Sequence, residues 1–136
     1  MTIVDFYQSQ WELAKKIFFE KKNLSVLFSG QENLGKEDFA KELVKFLSCN
    51  QKGNFPCQQC FNCRAIEKEN FPDLLILRPE KKEIQISQIR ELQAFLSLSP
   101  QLGNSKIAII VQAELMNLSS QNCLLKTLEE PKGKIL

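Results

Sequence analysis

The sequence contains no histidine. That removes imidazole as a general base, as a proton shuttle and as a metal ligand. Long apolar runs are also missing: the longest are a few residues, far short of the ~20 that a membrane-spanning helix needs. Neither charge sign dominates, because Lys+Arg is 18 against Asp+Glu 16, a net charge of +2. This balance gives no electrostatic case for tight DNA wrapping. No internal repeat, low-complexity tract or secretory leader is evident, since Met1-Thr2-Ile3-Val4-Asp5 lacks a basic stretch followed by an apolar one. A cytoplasmic protein is therefore expected.

The 136 residues are 43% apolar and 25% charged, the size and composition of one globular domain with a sizeable core. Apolar positions at helical spacing predict helices over 8–21 (Trp11, Ala14, Ile17, Phe18), over Lys36 to Ser48 (Phe39, Leu43, Phe46, Leu47), from Ile86 through Leu96 with Ser87 as N-cap, and from Ser119 to Glu130. Short apolar runs predict buried strands at Leu24–Phe28, Asp73–Leu77 and Ile107–Val111, with Lys134-Ile135-Leu136 opening another. Gly103-Asn104 reads as a turn. Helices alternating with strands that are apolar on both faces predict an α/β fold with a parallel sheet.

Gly30-Gln31-Glu32-Asn33-Leu34-Gly35-Lys36 matches the phosphate-loop pattern G-x-x-x-x-G-K between a predicted strand and a predicted helix. In such a loop Gly30 and Gly35 let backbone N–H groups wrap a phosphate, and Lys36 neutralises it. The following residue is Glu37, where a magnesium-binding Ser or Thr hydroxyl belongs. The strand Ile107–Val111 runs into Val111-Gln112, where an acidic pair should hold magnesium and polarise water; Glu114 lies too far along. The expectation is a phosphate-loop fold with no catalytic residues of its own, in which ATP or ADP binding is an open question.

Cys49, Cys57, Cys60 and Cys63 are four of the five cysteines and fall within fifteen residues as C-x7-C-x2-C-x2-C. A C-x2-C step bends the chain so that two sulfurs reach one tetrahedral ion, and a closed set of four thiolates suits structural zinc. An iron–sulfur cluster, a redox pair and four independent thiols are the alternatives. Lys52, Arg64 and Lys68 read either as partial offsets to the charge of a zinc–tetrathiolate or as plain solvated side chains. Cys123 reads as a small buried residue.

These segments, with Phe71-Pro72-Asp73, Ile86-Ser87-Gln88-Ile89-Arg90-Glu91-Leu92 and Leu124-Leu125-Lys126-Thr127-Leu128-Glu129-Glu130-Pro131, resemble in their order the bacterial DNA polymerase III clamp-loader subunits of the AAA+ family. The loop Gly35-Lys36-Glu37 and the pair Val111-Gln112 resemble the delta-prime type more than the gamma/tau motor type. The resemblance implies that residues 1–136 are an N-terminal AAA+ nucleotide-binding-fold domain with a zinc insert at about 49–63, cut before the last strands, the lid and the collar. It implies a non-hydrolysing, stator-like subunit of the polymerase holoenzyme. Its partners would be the other clamp-loader subunits and, through the ring, the sliding clamp and primer-template DNA. The family's S-R-C arginine motif is not in this chain. An active ATPase motor and a zinc-dependent nucleic-acid-binding module are the competing readings.

Overall fold

The structure, a computed structural model, describes residues 8–20, 35–51, 53–102 and 106–129. Its elements in chain order are α1 (Gln8–Glu20), α2 (Lys36–Ser48), α3 (Phe61–Glu67), β1 (Leu74–Leu77), α4 (Ile86–Leu96), β2 (Ile107–Ile110), a short 3-10 turn (Ala113–Leu115) and α5 (Leu118–Glu129). The strand expected at Leu24–Phe28, the loop from Gly30 through Leu34, Lys52, the turn Gly103-Asn104 and the segment Lys134-Ile135-Leu136 lie outside the described residues. The chain divides into two compact units, Met1–Phe71 and Pro72–Leu136.

In the first unit α1 and α2 meet through Trp11, Ala14, Phe39 and Leu43, with Phe46 and Leu47 packed against them. These are the positions that helical spacing placed on the apolar faces. Trp11 is wholly buried. Its indole meets Phe39 and Phe46 edge-on at 5.9 and 5.5 Å and stacks on Phe55 at 6.1 Å. Its Nε1–H donates to the Asn54 carbonyl at 3.1 Å, so the ring's one polar atom is satisfied.

Gly35 precedes α2 at φ 80°, a left-handed conformation that disfavours any residue with a Cβ. Its carbonyl accepts from Phe39 N–H at 2.9 Å and so closes the first turn. At the other end, Asn62 Nδ2 donates to the Ser48 carbonyl at 2.8 Å. That bond satisfies an end-of-helix oxygen and ties α2 to the start of α3.

In the second unit β1 and β2 pair in parallel, Leu74 opposite Ile107 through Leu77 opposite Ile110. The expected parallel sheet is present in this pair. Leu77, Ile84, Ile89, Leu92 and Leu96 form the core against them, joined by Met116, Cys123 and Leu124. The start of α4 differs from expectation: Gln85, not Ser87, is the N-cap, and its N–H donates to Gln88 Oε1 at 2.9 Å. Gln88 spans back to the Arg78 carbonyl as well, at 2.6 Å, which locks the helix entry to the end of β1. Asn117 caps α5, its Oδ1 accepting from Ser120 N–H at 2.8 Å, so the helix begins at Leu118. Cys123 is half-buried rather than buried, with Sγ 3.5 Å from Gln93 Oε1. Among the described residues no helix is long and apolar enough to cross a membrane.

Candidate metal centre and phosphate loop

Three elements bring the four clustered cysteines together. Cys49 is the residue that ends α2, its extended backbone (φ −63°, ψ 137°) turning the chain out of the helix. Cys57 and Cys60 flank a tight step in which Gln58 takes φ 63°. Cys60 then caps α3, and Cys63 lies in its first turn. The helix α3 differs from the sequence reading, in which the cysteine motif and the polar residues around it form an irregular insert.

The four Sγ atoms lie within 4.8 Å of one another. Cys57 and Cys63 are 3.9 Å apart, and Cys49 and Cys60 4.0 Å apart. Thiolates at ~2.3 Å from one tetrahedral zinc would stand about 3.8 Å apart. The donor set therefore fits a single soft ion. An iron–sulfur cluster would divide the four sulfurs among two or four irons and spread them more widely.

Backbone N–H groups converge on the same sulfurs. Cys49 Sγ accepts from Gln51 N at 3.4 Å and Cys57 N at 3.5 Å. Cys57 Sγ accepts from Gln59 N at 3.4 Å and Cys60 N at 3.2 Å, and Cys60 Sγ accepts from Cys63 N at 3.4 Å. Such bonds favour the charged sulfur. The N–H groups of Gln59 and Cys60 hold the Cys57 thiol below its usual range. Burial works against the Cys60 thiolate, yet the Asn50 and Cys63 N–H groups outweigh it and bring the thiol down to about 6. Burial pushes the Cys63 thiol up. Backbone N–H groups that favour the charged sulfur at Cys57 and Cys60 suit a site for a cation.

A buried charged residue beside this arrangement is Lys45, whose carbonyl lies 4.0 Å from Cys63 Sγ. Its side chain is 2% exposed, and Nζ pairs with Glu42 Oε1 at 2.8 Å and with Glu67 Oε2. Burial opposes its charge, but the bonds to Glu42 and Glu67 prevail and raise its pKa, while Lys45 lowers that of Glu67. Arg64 and Lys68, which the sequence suggested for this part, are exposed. The only local signal for Lys45 was its i,i+3 spacing from Glu42, which is common on solvated helix faces.

For the phosphate loop, Gly35 and Lys36 are placed at the N-terminus of α2, while Gly30 lies outside the described residues. Glu37 and Asp38 occupy the first turn of that helix. At the end of β2, Val111 N–H donates to the Leu77 carbonyl at 2.9 Å. Gln112 then turns the chain at φ 56°, and Glu114 sits exposed on the 3-10 turn. Neither Val111 nor Gln112 carries a carboxylate.

Residues 8–136 match the family described as "DNA polymerase III, delta subunit". The chain is 40% identical over 114 residues to DNA polymerase III subunit delta' of Bacillus subtilis, covering 82% of this chain and 35% of that protein. It is 33% identical over 120 residues to DNA polymerase III subunit tau of Escherichia coli, covering 88% of this chain and 18% of that protein. A crystal structure of a DNA polymerase III gamma subunit-related protein from Thermotoga maritima superposes with a TM-score of 0.72 at 27% identity, over 93% of this chain and 37% of that one. The chain thus spans about a third of the delta' relative and less of the tau relative. The match across nearly all of its residues places the chain in the DNA polymerase III delta-subunit family, among the clamp-loader subunits that its motifs resemble.

Proposed function

We propose that this chain is the AAA+ core of a non-hydrolysing, stator-like clamp-loader subunit of the delta-prime type, held in part by structural zinc on Cys49, Cys57, Cys60 and Cys63. The observation that carries the first half is the pair of missing magnesium ligands. Glu37 follows Lys36, and β2 ends in Val111-Gln112 with Gln112 in a left-handed turn. Phosphoryl transfer needs a metal to bridge the phosphates, and two carboxylate-free positions after β2 cannot hold one. The delta-prime likeness agrees with this reading, and the tau likeness supports the family rather than the role.

On this reading the subunit works in the cytoplasm as part of a hetero-oligomeric ring. It would meet other clamp-loader subunits directly, and the sliding clamp and primer-template DNA through the complex. Its own contribution to the chemistry is positional: Gly30, Gly35 and Lys36 retain the G-x-x-x-x-G-K sequence pattern of a nucleotide loop while hydrolysis belongs to a neighbour. Zinc would lend shape without reactivity, since four thiolates leave no open coordination position.

Magnesium-dependent ATP turnover by the chain and by its Lys36→Ala variant tests the role. The expected result is no turnover above background for either. Hydrolysis that Lys36→Ala abolishes would overturn the stator reading in favour of a gamma/tau-like motor. Salt-dependent DNA affinity of the chain alone would favour the nucleic-acid module instead.

A further inference from the structure

A buried cation on α2, Lys45, grips the C-x-x-C step and α3, two of the three segments that carry the metal-site cysteines. Lys45 Nζ donates to Gln58 Oε1 at 3.0 Å, and Gln58 Nε2 donates to Glu42 Oε2 at 2.7 Å. Gln58 sits inside the C-x-x-C step, at φ 63°. Both ends of its side-chain amide are therefore fastened to α2, and its own backbone N–H reaches the Cys63 sulfur. Nζ also bonds Glu67, one helical turn beyond Cys63 on α3. The Lys45 carbonyl, in turn, lies 4.0 Å from Cys63 Sγ.

This arrangement is not a counter-ion for the sulfurs. The one positive charge of Lys45 already faces two carboxylates, Glu42 and Glu67, so nothing is left over to offset a tetrathiolate. What the contacts do is fix two moving parts against a third. Without them, Gln58 would have to hold a left-handed conformation, uncommon for a residue with a side chain, on its own. Groups around a metal site that orient its ligands shift metal affinity without touching the ion.

We propose that Lys45 and Gln58 are positioning residues for the four-cysteine site, holding the C-x-x-C step and α3 in register and thereby setting the affinity for zinc. The inference rests on the metal-centre reading and concerns how tightly the site binds. It is tested with zinc in competition with a chromophoric chelator, on the wild-type chain and on Lys45→Met, Gln58→Ala and the double variant. Each single variant should bind zinc about 10–100-fold more weakly. The double variant should lose less than the product of the two, because the Lys45–Gln58 bond is shared between them. Cobalt(II) spectra should keep their tetrahedral thiolate bands in every variant, since no ligand is removed.

Gln58 is exposed, so Gln58→Ala decides the matter even if Lys45→Met fails to fold. Unchanged affinity in Gln58→Ala, or losses that multiply in the double variant, would overturn the clamp while leaving the metal centre standing. A wild-type chain that takes up neither zinc nor cobalt would overturn both.

Discussion

Asp73 and Lys106, the residues just before the first rung of the parallel strand pair, form an ion pair with Nζ 3.2 Å from Oδ1 and side chains 0% and 2% exposed. Asp73 also accepts from the Gln101 and Leu102 N–H groups, both at 2.7 Å. Lys106 donates to the Pro72 carbonyl at 3.1 Å and lies 4.6 Å from the centre of the Phe95 ring. One carboxylate thus organises the entry to β1, the entry to β2 and the loop after α4.

The two halves of this pair should differ on mutation. Asp73→Ala leaves a buried ammonium without its carboxylate and two backbone donors without their acceptor, and should cost about 3–5 kcal/mol. Lys106→Met leaves Asp73 its two N–H partners and should cost less. Urea unfolding of the two variants checks the order; equal losses would contradict it.

Metal removal should act on the first unit. One zinc per chain is expected by elemental analysis, and chelation should lower the melting temperature and free the four sulfurs to a thiol reagent. Changing any one of Cys49, Cys57, Cys60 or Cys63 to Ser should reduce zinc retention, whereas Cys123→Ser should leave it intact.

The Lys45–Glu67 pair makes stability depend on pH at both extremes. The Glu67 pKa is lowered from 4.5 on folding, so its contribution is present above that value and is lost as pH falls through the folded one. The Lys45 pKa is raised from 10.5, so its contribution is complete below that value and is lost as pH rises through the folded one. The stability gap between the wild type and Glu67→Gln should accordingly be widest near neutral pH and close toward both ends. Denaturation series across pH measure it directly.

Gly35→Ala should destabilise α2 by about 1–2 kcal/mol, because φ 80° sets Cβ against the backbone. Thermal unfolding gives the number, and an unchanged melting temperature would mean that the turn relaxes.

Much of this was legible in the sequence because the governing physics is local. The C-x2-C steps place ligands by chain bending, and the short β-branched and leucine runs Leu74–Leu77 and Ile107–Ile110 pair as parallel strands, though each buries only one of its four residues fully. What escaped depended on distant partners. Lys45 on an amphipathic helix reads as solvated until Gln58 and Glu67 fold over it. Ser87 is the better intrinsic N-cap, yet Gln85 takes the position because Gln88 is needed both at its N–H and at the Arg78 carbonyl. The seven residues of α3 are too few to show a periodicity, and it is Cys60 that starts the helix.

The chain has one tryptophan, and it is stacked on Phe55 with its N–H on Asn54, in the stretch between the first and second cysteines. The molecule therefore carries its own optical probe of that loop. Any rearrangement that follows loading or loss of a metal must alter the surroundings of this indole, so unlabelled emission can follow the site in real time.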